Sequence, residues 1–375
     1  MTKAKKVKAK PKEKDKTEAN AGKSLACTLS SCFESLKTHI FYSEGCNTTT
    51  LYKHYVQACE NIGIEPYNDL KHIVSTTGEQ IIIIGSSDVK LSSGCRALMN
   101  ALSGKLEGAP AEPFTLLKDL RIRSSDINDC GAIAVANFLR ATAESGKQDG
   151  GSTAQPQDQG KLQFLDLSDN NIGLQGALHL GRSLEVGMNK TVTSLILDFN
   201  VLGSEGASAL CKGIATNSTI AVLSLKHCNI DSTGGEPISA MLAFKRLALT
   251  TLDLSGNNFV GFGLIQLCKG LQKNASLTTF RLADNNIRQT DEDVAALKAF
   301  GQVLLTHSKL CEIDLDYNHI GNKGGKILLS GVRENKQITT FKISEIDMDV
   351  LTYKELFRVP KGNNVKKKSK KKKKK

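Results

Sequence analysis

Between residues 118 and 344, apolar and polar positions follow a unit that keeps returning. Leu165-Asp166-Leu167-Ser168-Asp169-Asn170-Asn171-Ile172 comes back at 195–202, 223–230, 252–259, 280–287 and 313–320. The second apolar residue of each strand segment, Leu167, Leu197, Leu225, Leu254, Leu282, Leu315 and Ile343, recurs at spacings of 30, 28, 29, 28, 33 and 28. A fixed period of this length marks a repeat architecture. Leu-x-Leu alternates with period two, so both leucines face inward and the residue between them faces the open side of a parallel sheet. A Gly-Ala-x-x-Leu segment follows, as at 176–180 and 206–210. Small residues ahead of leucines at three- and four-residue spacing suit a helix packed close behind the sheet. The pattern predicts an α/β solenoid with one strand and one full helix per unit.

The flanks extend this scheme. Residues 120–127 fit the template, with Ile122 as marker and Gly131-Ala132 in register, but Ile122 lies 45 residues ahead of Leu167. The excess falls at 144–160, a Gly/Gln/Ser/Pro-rich stretch that reads as an insertion loop on one rim. Residues 82–102 read as a degraded capping repeat with Ile84 as marker and a helix starting at Gly94, so the solenoid spans 81–344. Helical apolar spacing at 25–40 and 50–62, and a helix opened by Pro66, predict a helical N-terminal cap over 24–80 that shields the open end of the array. Residues 345–360 read as a C-terminal cap in which 353–357 cover the last strand, Phe341-Lys342-Ile343. Residues 1–23 and 361–375 read as disordered, lysine-rich tails.

The Leu-x-Leu-x-x-Asn-x-Ile-Gly-x-x-Gly-Ala pattern and its period resemble the ribonuclease-inhibitor-like branch of leucine-rich-repeat proteins. That resemblance implies a horseshoe, with parallel strands on the concave face and helices on the convex face. It is specific for fold and silent on activity. The Asn of each unit, Asn170, Asn200, Asn257, Asn285 and Asn318, can satisfy backbone groups where the chain leaves the strand, stacking into a structural ladder. Cys228 and Ser125 hold the same position in two units and read as rungs rather than nucleophiles. Asn189, Asn217 and Asn274 each begin a glycosylation sequon, yet they recur at one repeat position and read as turn residues between helix and strand.

Charge changes the picture once it is divided along the chain. The net charge is +12, of which residues 1–23 contribute +6 and residues 361–375 contribute +10, leaving −4 for the body. The body is therefore mildly acidic, and the cations that could meet a polyanion are concentrated in the tails. Lys366, Lys367, Lys368, Lys370, Lys371, Lys372, Lys373, Lys374 and Lys375 would bind polyanions through counterion release, with strong salt dependence and little sequence preference. No aromatic residue interleaves with them, which argues against base stacking. Acidic tubulin tails, RNA and anionic membrane are the candidate surfaces.

The concave face is the natural partner site, because a curved sheet presents many side chains at once. Its outward strand positions include Arg121, Arg123, Asp166, Ile196, Asp198, Lys226, Asp253, Arg281, Asp314 and Asp316, with Tyr317 beyond. The aspartates form an acidic stripe interrupted by Lys226 and Arg281. One reading is a groove for a partner's basic segment; the other is that Asp is simply a soluble choice in this repeat. Ile196, Phe199 and Tyr317 could supply apolar or aromatic anchors.

Catalytic motifs are missing from the sequence: there is no Gly-x-Ser-x-Gly elbow, GxxxxGK[ST] loop or His-Glu-x-x-His. Ten cysteines lack zinc spacing and a secretion signal, which predicts free thiols in a reducing compartment. No metal, cofactor, small-molecule substrate or membrane span is expected. The expected function is a non-catalytic protein-protein interaction scaffold of intracellular, cytoplasmic location, with a nuclear location left open.

The cap segments at 55–59 and 63–66 resemble flagellar and cytoskeletal repeat proteins, which implies a microtubule or axonemal (cilium, flagellum) place. The repeats also resemble those of Ran GTPase-activating proteins, which implies a GTPase regulator as one alternative. That family typically ends in an acidic region, where this chain ends in lysines. An RNA- or ribosome-associated adaptor is the other alternative.

Overall fold

The structure, a computed structural model, describes residues 48–77, 80–85, 91–108, 113–145 and 162–372. The chain divides into two units, Met1–Cys46 and Asn47–Lys375, and every described residue lies in the second. The expected basic tail at 1–23, the helix at 25–40 and most of the insertion at 144–160 lie outside the described residues.

Nine strands form one parallel sheet whose order is the chain order. They are β1 (Ile81–Gly85), β2 (Asp119–Arg123), β3 (Phe164–Asp166), β4 (Ser194–Ile196), β5 (Val222–Ser224), β6 (Thr251–Asp253), β7 (Thr279–Arg281), β8 (Glu312–Leu315) and β9 (Thr340–Ile343). A helix returns the chain after each strand: α3 (Leu91–Ser103), α4 (Asn128–Ser145), α5 (Leu174–Ser183), α6 (Gly203–Thr216), α7 (Gly235–Leu242), α8 (Val260–Leu271), α9 (Asp291–Thr306), α10 (Gly321–Glu334) and α11 (Val350–Lys372). This unit is the α/β solenoid that the period predicts and the leucine-rich-repeat horseshoe that the resemblance implies, with an open sheet of strands inside and helices outside.

The register explains why the leucines recur. Leu120, Leu165, Leu195, Leu223, Leu252, Phe280, Ile313 and Phe341 pair from each strand to the next and are all buried. The second column, from Ile122 through Leu167 and Leu197 to Ile343, is buried beside it. A one-residue slip in any strand would turn both columns outward, so the alternation itself fixes the register. Behind the sheet the helices approach closely: a Cβ on Gly213 would lie 2.0 Å from the carbonyl oxygen of Gly181 on the preceding helix. Only glycine permits that backbone contact.

Helices pack at both ends of the sheet. Helices α1 (Thr48–Ile62) and α2 (Asp69–Thr77) cap the first repeat, α1 against α3 and α2 against β1, with Leu51, Tyr55, Leu70 and Val74 buried. The degraded repeat at 82–102 is a genuine strand and helix, β1 and α3. The C-terminal boundary differs from expectation. Sequence reasoning ends the cap at residue 360 and leaves 361–375 disordered, whereas α11 runs through Pro360 to Lys372. Asn363 is the reason. Its side chain is buried, and its Nδ2 donates to the carbonyl oxygens of Ile338 at 2.9 Å and Asn335 at 3.5 Å. Once that turn is docked, lysine, a good helix former, extends the helix without a new nucleation step. No helix among the described residues is long and apolar enough to cross a membrane.

Candidate binding surface

The floor of the concave side is set by the Asn ladder. The Asn200 side-chain oxygen accepts from the backbone N–H groups of Asn170 and Ile172, one repeat earlier, at 3.1 and 2.9 Å. Its Nδ2 donates to the carbonyls of Leu167 and Leu197, both at 2.9 Å. Asn257 does the same for Cys228 and Ile230, and Asn318 for Asn285 and Ile287. Asn170 accepts from Ser125 N at 3.0 Å, and Asn285 from Phe259 N at 3.3 Å. The ladder thus satisfies backbone groups that would otherwise be buried without partners. Cys228 occupies its rung as a donor: burial pushes its thiol up to about 12, so it stays S–H and lies 3.2 Å from the Leu197 carbonyl. Ser125 is buried and donates to the Arg123 carbonyl at 2.8 Å.

The charged residues on the open side of the strands are drawn together in pairs. Arg123 meets Asp166 at 2.7 Å, Lys226 meets Asp198 at 3.2 Å, Arg281 meets Asp253 at 3.6 Å and Lys342 meets Asp314 at 2.9 Å. Arg121 turns to Asp119 on its own strand at 2.6 Å and lies over the Phe164 ring, 4.6 Å from its centroid. Asp166, Asp198 and Asp253 are only 2, 7 and 7% exposed. Their second oxygens serve the backbone: Asp166, Asp253 and Asp314 each accept from the N–H two residues on, and Asp198 accepts from Lys226 N and from the Ser224 hydroxyl. Asp316 accepts from the Ser344 hydroxyl at 2.6 Å. Adjacent parallel strands lie about 4.8 Å apart, so opposite charges on one rung, or diagonally one rung on as for Arg123 and Asp166, meet before any partner arrives. The acidic stripe of the sequence is therefore a set of capped and paired carboxylates, with the cations standing at its surface.

One residue beyond the strands the character changes. The turn position two after each marker adopts a left-handed backbone in Ser124, Asp169, Phe199, His227, Gly256, Asp284 and Tyr317. Ser, Asp and Gly suit that conformation, whereas bulky aromatic residues there are outliers. Phe199, with φ of 59°, is 55% exposed, and Tyr317, with φ of 56°, is 72% exposed. His227 stacks on Phe199, ring centroids 4.7 Å apart and planes 14° from parallel. Gly256 leaves the far face of that imidazole room, since a Cβ there would fall 2.2 Å from His227. Ile196, half-buried, lies on the strand just below Phe199. Sequence reasoning singled out Phe199, Ile196 and Tyr317, and nothing in it joins them to His227. The signal that links them is the shared left-handed column, visible only when the repeats are stacked and their φ angles known.

A second ladder, which the sequence analysis left as turns, lies where helices lead into strands. Asn217 Nδ2 donates to the Leu184 carbonyl at 2.8 Å, and its oxygen accepts from Thr219 N and Ile220 N. Asn189, Asn274 and Asn335 make equivalent bonds, His307 takes one rung, and Asn363 on α11 continues it. The three sequon asparagines are thus buried structural residues. Among the described residues, no cluster of three His, Cys, Asp or Glu side chains could hold a metal ion.

Comparison with known proteins follows the same repeats. A family model described as "Leucine Rich repeat" matches residues 161–181, 189–211, 216–239 and 306–328, and a second, "Leucine Rich Repeat", matches 248–270. The chain is 36% identical over 147 residues to "NACHT, LRR and PYD domains-containing protein 12" of Homo sapiens, across 39% of this chain and 13% of that protein. It is 30% identical over 205 residues to "Ribonuclease inhibitor" of Mus musculus, across 53% of this chain and 42% of that protein. Identity to the Sus scrofa "Ribonuclease inhibitor" is 28% over 220 residues, across 58% of this chain and 43% of that protein. The chain spans less than half the length of each of these relatives.

Proposed function

Because this chain is a leucine-rich-repeat protein of the ribonuclease-inhibitor-like kind, we propose that it is a protein-binding scaffold whose concave side grips one protein partner. Arg121, Arg123, Lys226 and Arg281 offer their outer N–H groups to that partner; Asp119, Asp166, Asp198 and Asp253 hold those cations in place, with Asp314 paired to Lys342 and Asp316 to the Ser344 hydroxyl beside them. Phe199, stacked on His227, and Tyr317 are the anchors, with Ile196 between strand and rim. The observation that carries this reading is the choice of exposed aromatics at positions whose left-handed backbone disfavours them. Such strain costs on the order of 1–3 kcal/mol per residue and persists where a surface is used. Phe199 and Tyr317 lie four strands apart, roughly 19 Å at ~4.8 Å per strand, which matches the width of an ordinary protein interface patch.

The second half of the reading is attachment: the lysine-rich C-terminal stretch holds the scaffold on a polyanionic surface. Tubulin tails of a microtubule or axoneme are the surface that the cap resemblance suggests.

The partner half is tested by placing a photo-crosslinking residue at Tyr317 or Ile196 in cells, with exposed Lys212 of α6 as convex control. A protein labelled from the concave positions and not from Lys212, whose purified form loses about tenfold or more in affinity on Phe199→Ala or Tyr317→Ala, supports the proposal. Identical labelling from both faces, or affinity unchanged by both substitutions, rejects it.

A further inference from the structure

We infer that the exposed side of α11 seats on an anionic lipid bilayer. The inference rests on the attachment half of the reading above and names its surface. Helix α11 is fixed from one side, where Thr352, Leu356, Pro360 and Asn363 are buried at spacings of a helical turn. The opposite side exposes Val350, Leu351, Lys354, Phe357, Arg358 and Lys361. Leu351, at 77%, is more exposed than any other large apolar side chain among the described residues, and Val350 and Phe357 are each 52% exposed. Ile346, in the turn ahead of the helix, is 46% exposed and adds a further apolar group beside the same end.

Charge on this element is of one sign. From Val350 onward the sequence holds a single acid, Glu355, and Arg333 of α10 pairs with it. Among the described residues no carboxylate pairs with Lys354 or Arg358. Lys361 places its ammonium 3.9 Å from the centre of the Phe357 ring. Apolar and cationic groups are thus mixed on one exposed surface, and the lysine run continues along the same helix.

A surface of fixed charges, such as an acidic peptide tail or a nucleic acid, would engage the lysines and leave Leu351 and Val350 in water. A bilayer interface supplies both partners at once: headgroup charges for the cations and, directly beneath, the acyl boundary for apolar side chains. Scattered exposed apolar residues are ordinary, but three within two turns of a basic helix are a patch. The Phe357 ring is covered by Lys361, which leaves it poorly placed for stacking on a base.

The test floats the full chain with phosphatidylcholine vesicles, with and without about one-third phosphatidylserine, over a salt series. The double variant Leu351→Gln, Phe357→Gln runs in parallel; both side chains are exposed, and its unfolding curve should match that of the parent. Flotation that needs phosphatidylserine, weakens with salt and drops about tenfold in the double variant supports the inference. Flotation that the double variant leaves unchanged means that the lysines act alone; this overturns the lipid-facing helix and leaves polyanion attachment standing. Absence of flotation with salt-sensitive binding to microtubules or RNA also overturns it and identifies a different polyanion. Absence of binding to vesicles, microtubules and RNA at low salt overturns the inference and the attachment reading together.

Discussion

Two ladders of side-chain amides run through the solenoid, and they position different things. The first follows the strands: Asn170, Asn200, Asn257, Asn285 and Asn318, with Cys228 in one rung. It lies directly beneath the turns that carry Phe199, His227 and Tyr317. The second follows the helices: Asn189, Asn217, Asn274 and Asn335, with His307 in one rung and Asn363 at its end. It leads to α11. One ladder therefore floors the candidate partner surface, and the other anchors the helix proposed to attach the scaffold. Both show that buried polar residues in this fold serve backbone groups first. The same holds for the buried aspartates of the sheet, which look like a binding stripe in sequence and act as caps and ion-pair partners in the structure. Residues available to a partner stand one position farther out, where the fold demands nothing of the side chain except that it tolerate a left-handed turn.

Breaking a central rung of the first ladder should have the largest effect. Asn200→Ala removes one acceptor shared by two N–H groups and one donor serving two carbonyls, and buried groups left unpaired cost about 1–3 kcal/mol each. A loss of about 3 kcal/mol in urea-induced unfolding is expected. A loss under about 1 kcal/mol would mean that neighbouring repeats reorganise around the gap. Asn363→Ala tests the far end of the second ladder. It leaves the core intact and frees the last turns of α11, so global stability should fall by only about 1 kcal/mol, while limited proteolysis after Pro360 speeds up several-fold. Unchanged proteolysis would show that the helix beyond Pro360 is held by something other than that amide.

The strand ladder was legible in the sequence because its Asn follows a fixed three residues after a buried leucine, inside the most regular part of the unit. Fold and strand register could be read for the same reason: they depend on apolar periodicity, which neighbouring repeats restate. The helix-exit ladder was half legible. Asn189, Asn217 and Asn274 were seen to recur, but their sequon context hid that they bond across repeats, and His307 breaks the letter pattern. Asn363 was not legible at all, because it follows a proline and precedes a lysine run, both of which signal an end to structure. Its burial depends on where the last repeat leaves carbonyls, which is a tertiary fact. The pairing of the concave charges was hidden likewise: a single strand shows an aspartate between leucines and says nothing of the cation on the next strand. The stacking of His227 on Phe199 needs both the register and the backbone angle of two separate turns.

The two exceptional rungs sharpen the comparison at smaller scale. Cys228 donates a weak S–H bond to Leu197 and brings no amide oxygen to the Asn200 end of the repeat before it. Cys228→Asn supplies that acceptor in a position whose neighbours already accommodate Asn, and should raise stability by about 1 kcal/mol in urea unfolding. A decrease would indicate that the thiol was chosen for volume rather than for bonding.

His307 is the subtler case, because its rung depends on pH. Its Nδ1 accepts from Leu310 N at 3.0 Å and Lys309 N at 3.3 Å, which requires the neutral ring. Its buried Nε2 has no protein partner among the described residues, whereas Asn335 in the next rung donates to the Leu304 carbonyl at 2.6 Å. Burial lowers the imidazole pKa below its ordinary value. In the unfolded chain the same group takes up a proton as pH falls through about 6.5. Below that point the unfolded state holds more protons than the folded one, so stability is full above it and declines as pH drops toward the lowered folded value. His307→Asn replaces the ring with the amide that the other rungs use. It should add about 1 kcal/mol or less at neutral pH through the recovered donor, and it should flatten this part of the stability profile between neutral and mildly acidic pH. Parallel profiles for the two proteins would show that the acid sensitivity lies elsewhere and that the ladder tolerates imidazole as well as amide.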